Sequence, residues 1–196
     1  MRLRKETIGL VAMAILAWPG NGGVAFGGFV EEFTDKDEWI AAIGGEDAFL
    51  TVDFVGFPNG TFITDQYADL GILFTDGNDS INFSPTAFPN DAWGLDGNGH
   101  ISVSFDTPQA WIGVDFPGDL QIDLFSEGRL IHTSVFIAGG IGNFGGLISS
   151  DLFDAAVLID PIGVDAEIDD LHFGVPAPGA LWLLAVAALL PRRRRR

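Results

Sequence analysis

The chain contains no cysteine among its 196 residues. Disulfides are excluded, and so is a lipid anchor attached to a cysteine, so an oxidising compartment is tolerated without cross-links. Cations are nearly missing from the middle of the chain. Arg2, Arg4 and Lys5 stand at the front and Arg192 to Arg196 at the back, with only Lys36 and Arg129 between. From Phe26 to Gly174, 26 acids face those two cations, a formal charge of −24. Such a body repels phosphates and anionic lipid, which excludes nucleic acid as a partner and favours cations, neutral ligands or basic partners.

Catalytic signatures are absent as well. There is no Gly-x-Ser-x-Gly and no cysteine nucleophile. His100, His132 and His172 show no metal-binding spacing and read as isolated surface residues on strands. The glycines of "GGIGNFGG", Gly139 to Gly146, lack the lysine and the following helix of a phosphate loop and read as a flexible hairpin loop. In "EIDDLH", Glu167 to His172, Leu171 and His172 occupy the positions where jelly-roll glucanases of the laminarinase type carry a second glutamate. Glu167 and Asp169 alone cannot supply both nucleophile and acid.

Two short apolar runs are present, one towards each end. "MRLRKETIGLVAMAILAWPGNGGVAFGG" has a basic start, an apolar stretch from Ile8 to Trp18, a Pro19-Gly20 breaker and small residues at Gly23 and Ala25. This is the pattern of a secretory signal peptide over residues 1–25, with cleavage after Ala25. At the other end, Gly179 to Leu190 are 12 consecutive non-polar residues, roughly 18 Å as a helix against a hydrocarbon core of about 30 Å. The five arginines that follow can snorkel and hold that end in the cytoplasm. The acidic body is then expected outside the inner membrane.

Val175-Pro176-Ala177-Pro178, a short apolar segment and the cluster Arg192, Arg193, Arg194, Arg195, Arg196 together resemble the PEP-CTERM sorting tail of Gram-negative bacteria. The resemblance covers residues 175–196, with Ala177 where the family usually has Glu and Pro191 interrupting the apolar segment. It implies recognition by an exosortase, a membrane enzyme resembling transpeptidases, and export in a species that makes extracellular polysaccharide. The runs "FGGLISSDLFDAAVLID" and "AEIDDLHFG" are also similar to the closing strands of sandwich domains carried by such proteins.

Within residues 26–174 the dominant period is two. Thr51 to Phe57, His100 to Thr107, Ala110 to Phe116, Leu120 to Gly128 and Leu130 to Ala138 alternate apolar with polar or small residues, which predicts strands with one buried face. Further strands are expected at Gly71 to Thr75, Ala155 to Asp160 and Glu167 to Phe173. Pro58-Asn59-Gly60, Asp76-Gly77-Asn78, Asp96-Gly97-Asn98-Gly99 and Pro117-Gly118-Asp119 mark the turns. One short helix is predicted from an N-cap at Thr34 or Asp35 to about Ile43, ended by Gly44-Gly45. The expected fold is all-β, a β-sandwich of jelly-roll type with one short N-terminal helix, flanked by the signal segment and the apolar sorting tail.

Hard cations seek clustered oxygens. Asp76, Asn78 and Asp79, and Asp96 with Asn98, read as the residues tight hairpins require. Asp169 and Asp170 on the last strand are the expected ligands of a structural calcium. By analogy with jelly-roll carbohydrate modules, Glu31 and Glu32 on the first strand would complete that site. If a polysaccharide is bound, flat rings are needed, and Trp93, Trp111 and Tyr67, with Phe88, are the candidates. The function expected is that of an exported, non-enzymatic surface or extracellular-matrix protein. The alternatives are a secreted glycan hydrolase with an unrecognised site and a purely structural or adhesive β-domain. The expected partners are an exosortase-like enzyme, the inner membrane through the tail, and extracellular polysaccharide.

Overall fold

The computed structural model describes residues 28–138, 140–163 and 165–174. The expected signal segment and sorting tail, including Val175 to Pro178 and the arginines, lie outside the described residues. The described chain is all-β with antiparallel pairing throughout. Its strands are β1 (Val30–Phe33), β2 (Leu50–Val52), β3 (Ile72–Phe74), β4 (Ser80–Phe83), β5 (Trp93–Gly97), β6 (His100–Phe116), β7 (Leu120–Ser126), β8 (Arg129–Phe136), β9 (Asn143–Ile159), β10 (Ala166–Ile168) and β11 (Leu171–Gly174). The α-helix α1 (Lys36–Ile43) follows β1.

The long strands β6 and β9 run side by side and organise the rest. Their register breaks between Ser104 and Trp111. On one side of the break, β3 lies beside β6, and β7 with β8 beside β9. On the other side, β11 with β2 lies beside β6 and β1 beside β9. The strands β10, β5 and β4 form a separate sheet. Inward residues from both ends of the long pair and from the small sheet, among them Ile101, Val114, Leu158, Leu95 and Phe173, meet in one apolar core. The two strands expected at His100 to Thr107 and Ala110 to Phe116 are thus a single strand bent at an irregularity.

Burial along β6 shows why α1 matters. Residues 100–105 alternate half-buried and buried, whereas residues 109–116 are buried without interruption. The outer face of that second part is covered by α1, whose Trp39 packs with Ala110, Trp111 and Phe144 in a second apolar cluster. Asp35 caps the helix by accepting from the Glu38 amide at 3.0 Å, and Gly44 ends it at φ 104°. Both features follow the expectation. Trp39 fits because Gly113 and Gly146 face each other across β6 and β9. A Cβ on Gly146 would stand 2.6 Å from Trp39 Cδ1. The glycines at 145 and 146 are therefore strand residues under aromatic rings, and not part of a loop; β9 begins at Asn143.

Two other expectations change. The strand beginning near Thr51 ends at Val52, because Phe54 takes φ 58° and turns its ring into the core. The predicted strand Glu167 to Phe173 is two strands in different sheets, and the chain crosses between them at Asp169-Asp170.

Candidate metal centre

That crossing places both aspartates beside the end of β6. The Asp169 amide donates to the Asp115 carbonyl at 2.7 Å, and the Asp115 amide donates to the Asp170 carbonyl at 2.9 Å. Asp115, Asp170 and His172 each bring a ligand atom within 4.8 Å of the others. Asp115 Oδ2 accepts from Lys36 Nζ at 2.6 Å and from His172 Nε2 at 2.9 Å. Thr51 Oγ1 lies 2.9 Å from His172 Nδ1. The ring thus uses both nitrogens, Nε2 donating to Asp115 and Nδ1 sharing a hydrogen bond with the Thr51 hydroxyl. The ring is buried against Phe49, Trp39 and Phe144.

This chain of polar groups ties α1, β2, β6 and β11 together. Burial pushes the Asp115 carboxyl up, but the hydrogen bonds and charges of His172 and Lys36 outweigh it and hold the group below its ordinary range. Asp170 is displaced the other way, raised by burial and by Asp115 despite His172 and Lys36. Its Oδ2 accepts from the Asn90 side-chain amide at 3.2 Å. Asp169 is buried and pushed up to about 7, first by burial and then by Asp170. Its Oδ2 accepts from the Asn90 backbone amide at 3.4 Å, while its Oδ1 is buried with no hydrogen-bond partner among the described residues. A cleft of about 630 Å³ has Lys36 and Asp115 on its wall and runs past Phe136 and Phe144.

Glu31 and Glu32 are not brought to this place. Their strand pairs with β9, whereas β11 pairs with β2 and β6, so the first and last strands lie on opposite sides of the β6–β9 pair. Glu32 instead accepts from the Ser134 hydroxyl at 2.7 Å and approaches His132 at 3.4 Å. The aromatic candidates also divide. Trp111 is buried under α1 with its Nε1 donating to the Ala48 carbonyl at 3.3 Å, and Phe88 is fully buried. Tyr67 is half-buried among Phe54, Phe57 and Phe74, with its hydroxyl inside. Trp93 is likewise half-buried against the core, with its ring 4.7 Å from that of the exposed Phe83 at the edge of the small sheet.

No protein-family model matches the chain, and no curated protein matches its sequence. Sequence reasoning missed Asp115 and misassigned His172, expected at the surface. The neighbours of His172 gave no such warning: Leu171 and Phe173 share the opposite face of the strand, and the rings that cover His172 come from Trp39, Phe49 and Phe144. Nothing local marked Asp115, whose partners lie 57 and 79 residues away.

Proposed function

We propose that the chain is an exported, non-enzymatic surface or extracellular-matrix protein. Its body is a β-sandwich of jelly-roll type, delivered by the 1–25 signal segment and held in the inner membrane by Gly179 to Leu190 until an exosortase-like enzyme processes the tail. The observation that carries this reading is the order Pro-x-Pro, apolar segment, arginine cluster at Val175 to Arg196, set against a body of opposite charge. Among the described residues no helix is long and apolar enough to cross a membrane.

A structural calcium at Asp169 and Asp170 belongs to the same proposal, supported by the partnerless Asp169 Oδ1 beside a second carboxylate. So does binding of a neutral polysaccharide at the Trp93–Phe83 edge, since the charge of the body disfavours anionic glycans. The hydrolase reading has one observation in its favour: Asp115 and Asp170 are close, and their proton affinities are pushed apart. Asp115 is already engaged by Lys36 and His172, so it makes a poor nucleophile.

The test is processing in an exosortase-bearing host. Wild type should reach the surface without its arginines, and the Pro176→Ala, Pro178→Ala variant should stay membrane-held at full length. Surface protein whose mass still includes Arg196 would reduce the tail to an anchor. Glycan release that Asp170→Asn abolishes would replace the proposal with the hydrolase.

A further inference from the structure

The turn between β3 and β4 carries Asp76-Gly77-Asn78-Asp79, a sequence that a tight turn explains by itself. Asn78 is exposed, as a turn residue should be, but the two aspartates are not. Asp79 is 0% exposed, and neither of its carboxylate oxygens has a hydrogen-bond partner among the described residues. Asp76 Oδ2 is buried and also has no hydrogen-bond partner among the described residues, with His100 Nε2 at 3.6 Å. The other Asp76 oxygen accepts from Asn78 Nδ2 at 3.3 Å. Asp96 adds a third carboxylate, on β5 opposite Ser80, the residue after Asp79. Glu167 of β10 stands opposite Asp96 on the far side.

A buried carboxylate without donors is costly, and native proteins provide a counter-charge, a hydrogen bond or a metal. Here the protein supplies little. Lys36 is bound to Asp115, and among the described residues no lysine or arginine forms an ion pair with these acids. His100 Nε2 is the nearest candidate, 3.6 Å from Asp76 Oδ2 on a half-exposed ring, beyond hydrogen-bond reach. The contrast with Asp115 is informative, because there an internal ammonium fills the role that is left open here.

We propose that Asp79 and Asp76 bind a divalent cation of the calcium class, with Asp96 adding to the negative field around it. Two carboxylates with carbonyl or water oxygens suit such an ion, which tolerates irregular shells at oxygen. The proposal is independent of the calcium placed at Asp169 and Asp170. Burial, Asp76 and Asp96 together push the Asp79 carboxyl up to about 7, the sense in which anionic crowding acts before a cation relieves it.

The test is calorimetric titration of the EDTA-stripped full-length chain in detergent with calcium chloride. Melting temperatures in EDTA and in calcium accompany it. Asp79→Asn should abolish one binding event or weaken it at least tenfold. In EDTA the same variant should melt above wild type, because the partnerless charge is gone. Asp169→Asn with Asp170→Asn should keep that event, and magnesium should bind at least tenfold more weakly than calcium. Wild-type calcium heats in Asp79→Asn, or no calcium heat and no melting shift in wild type, would overturn the proposal. Should Asp79→Asn fail to fold, Asp76→Asn carries the same expectation, and undiminished binding there overturns it equally. Loss of binding in the Asp169, Asp170 variant alone would reject the Asp79 site and leave the other standing.

Discussion

Lys36 shows how much one side chain carries when cations are scarce. Its ammonium sits 2.6 Å from Asp115 Oδ2, which also accepts from the buried His172. Replacing it with methionine keeps the stem and removes the charge-assisted bond, at a cost of about 1–3 kcal/mol in urea unfolding. The sign with pH follows from Asp115. Its carboxyl is lowered in the folded state, so it stabilises above the pKa of the unfolded chain, and this contribution is lost as pH falls through the folded value. Lys36→Met raises that folded value. Acid titration followed by circular dichroism should show unfolding at higher pH in the variant, and coincident acid transitions would refute the role given to Lys36.

At the scale of elements, α1 and the β6–β9 pair meet through one ring on two glycines. Gly146 has room for no side chain, because a Cβ would come within 2.6 Å of Trp39 Cδ1. Gly146→Ala should therefore destabilise by about 1–3 kcal/mol through overpacking. Gly140→Ala, where an added Cβ meets nothing within 4 Å, should stay within about 0.5 kcal/mol of wild type. Equal urea midpoints for the two variants would contradict the packing assigned to α1. The same contact explains why residues 109–116 are buried on both faces while residues 100–105 alternate.

Across the whole molecule, acidity is unevenly relieved. Asp79 and Asp169 are each pushed up to about 7, first by burial. A carboxyl raised in the folded state contributes stability at low pH that disappears as pH rises through the folded value. In EDTA the chain should melt lower at pH 8 than at pH 5.5, and self-repulsion of a body near −24 acts in the same direction. Millimolar calcium should flatten that slope by occupying the carboxylates. A level melting profile in EDTA between those two pH values would show that neither aspartate resists ionisation in the fold.

Local signals in the sequence determined the helix with its Asp35 cap and Gly44 stop, the period-two strands, the turns and the concentration of acid between the termini. Each depends on residues within a few positions of one another, where backbone preference and alternation operate. The tertiary structure decided which alternating faces were covered. Trp111 and His172 lie inside because α1 and the neighbouring Phe49 close over the outer face of β6 and β11, and period two cannot say what covers a second face. It also decided which acids have partners. Asp115 meets a lysine 79 residues away and Glu32 meets Ser134 102 residues away, whereas Asp79 has no hydrogen-bond partner among the described residues and feels Asp76 and Asp96. The cause is topological: the crossing at Asp169-Asp170 and the long bent pair set distances between groups whose separation along the chain carries no such information.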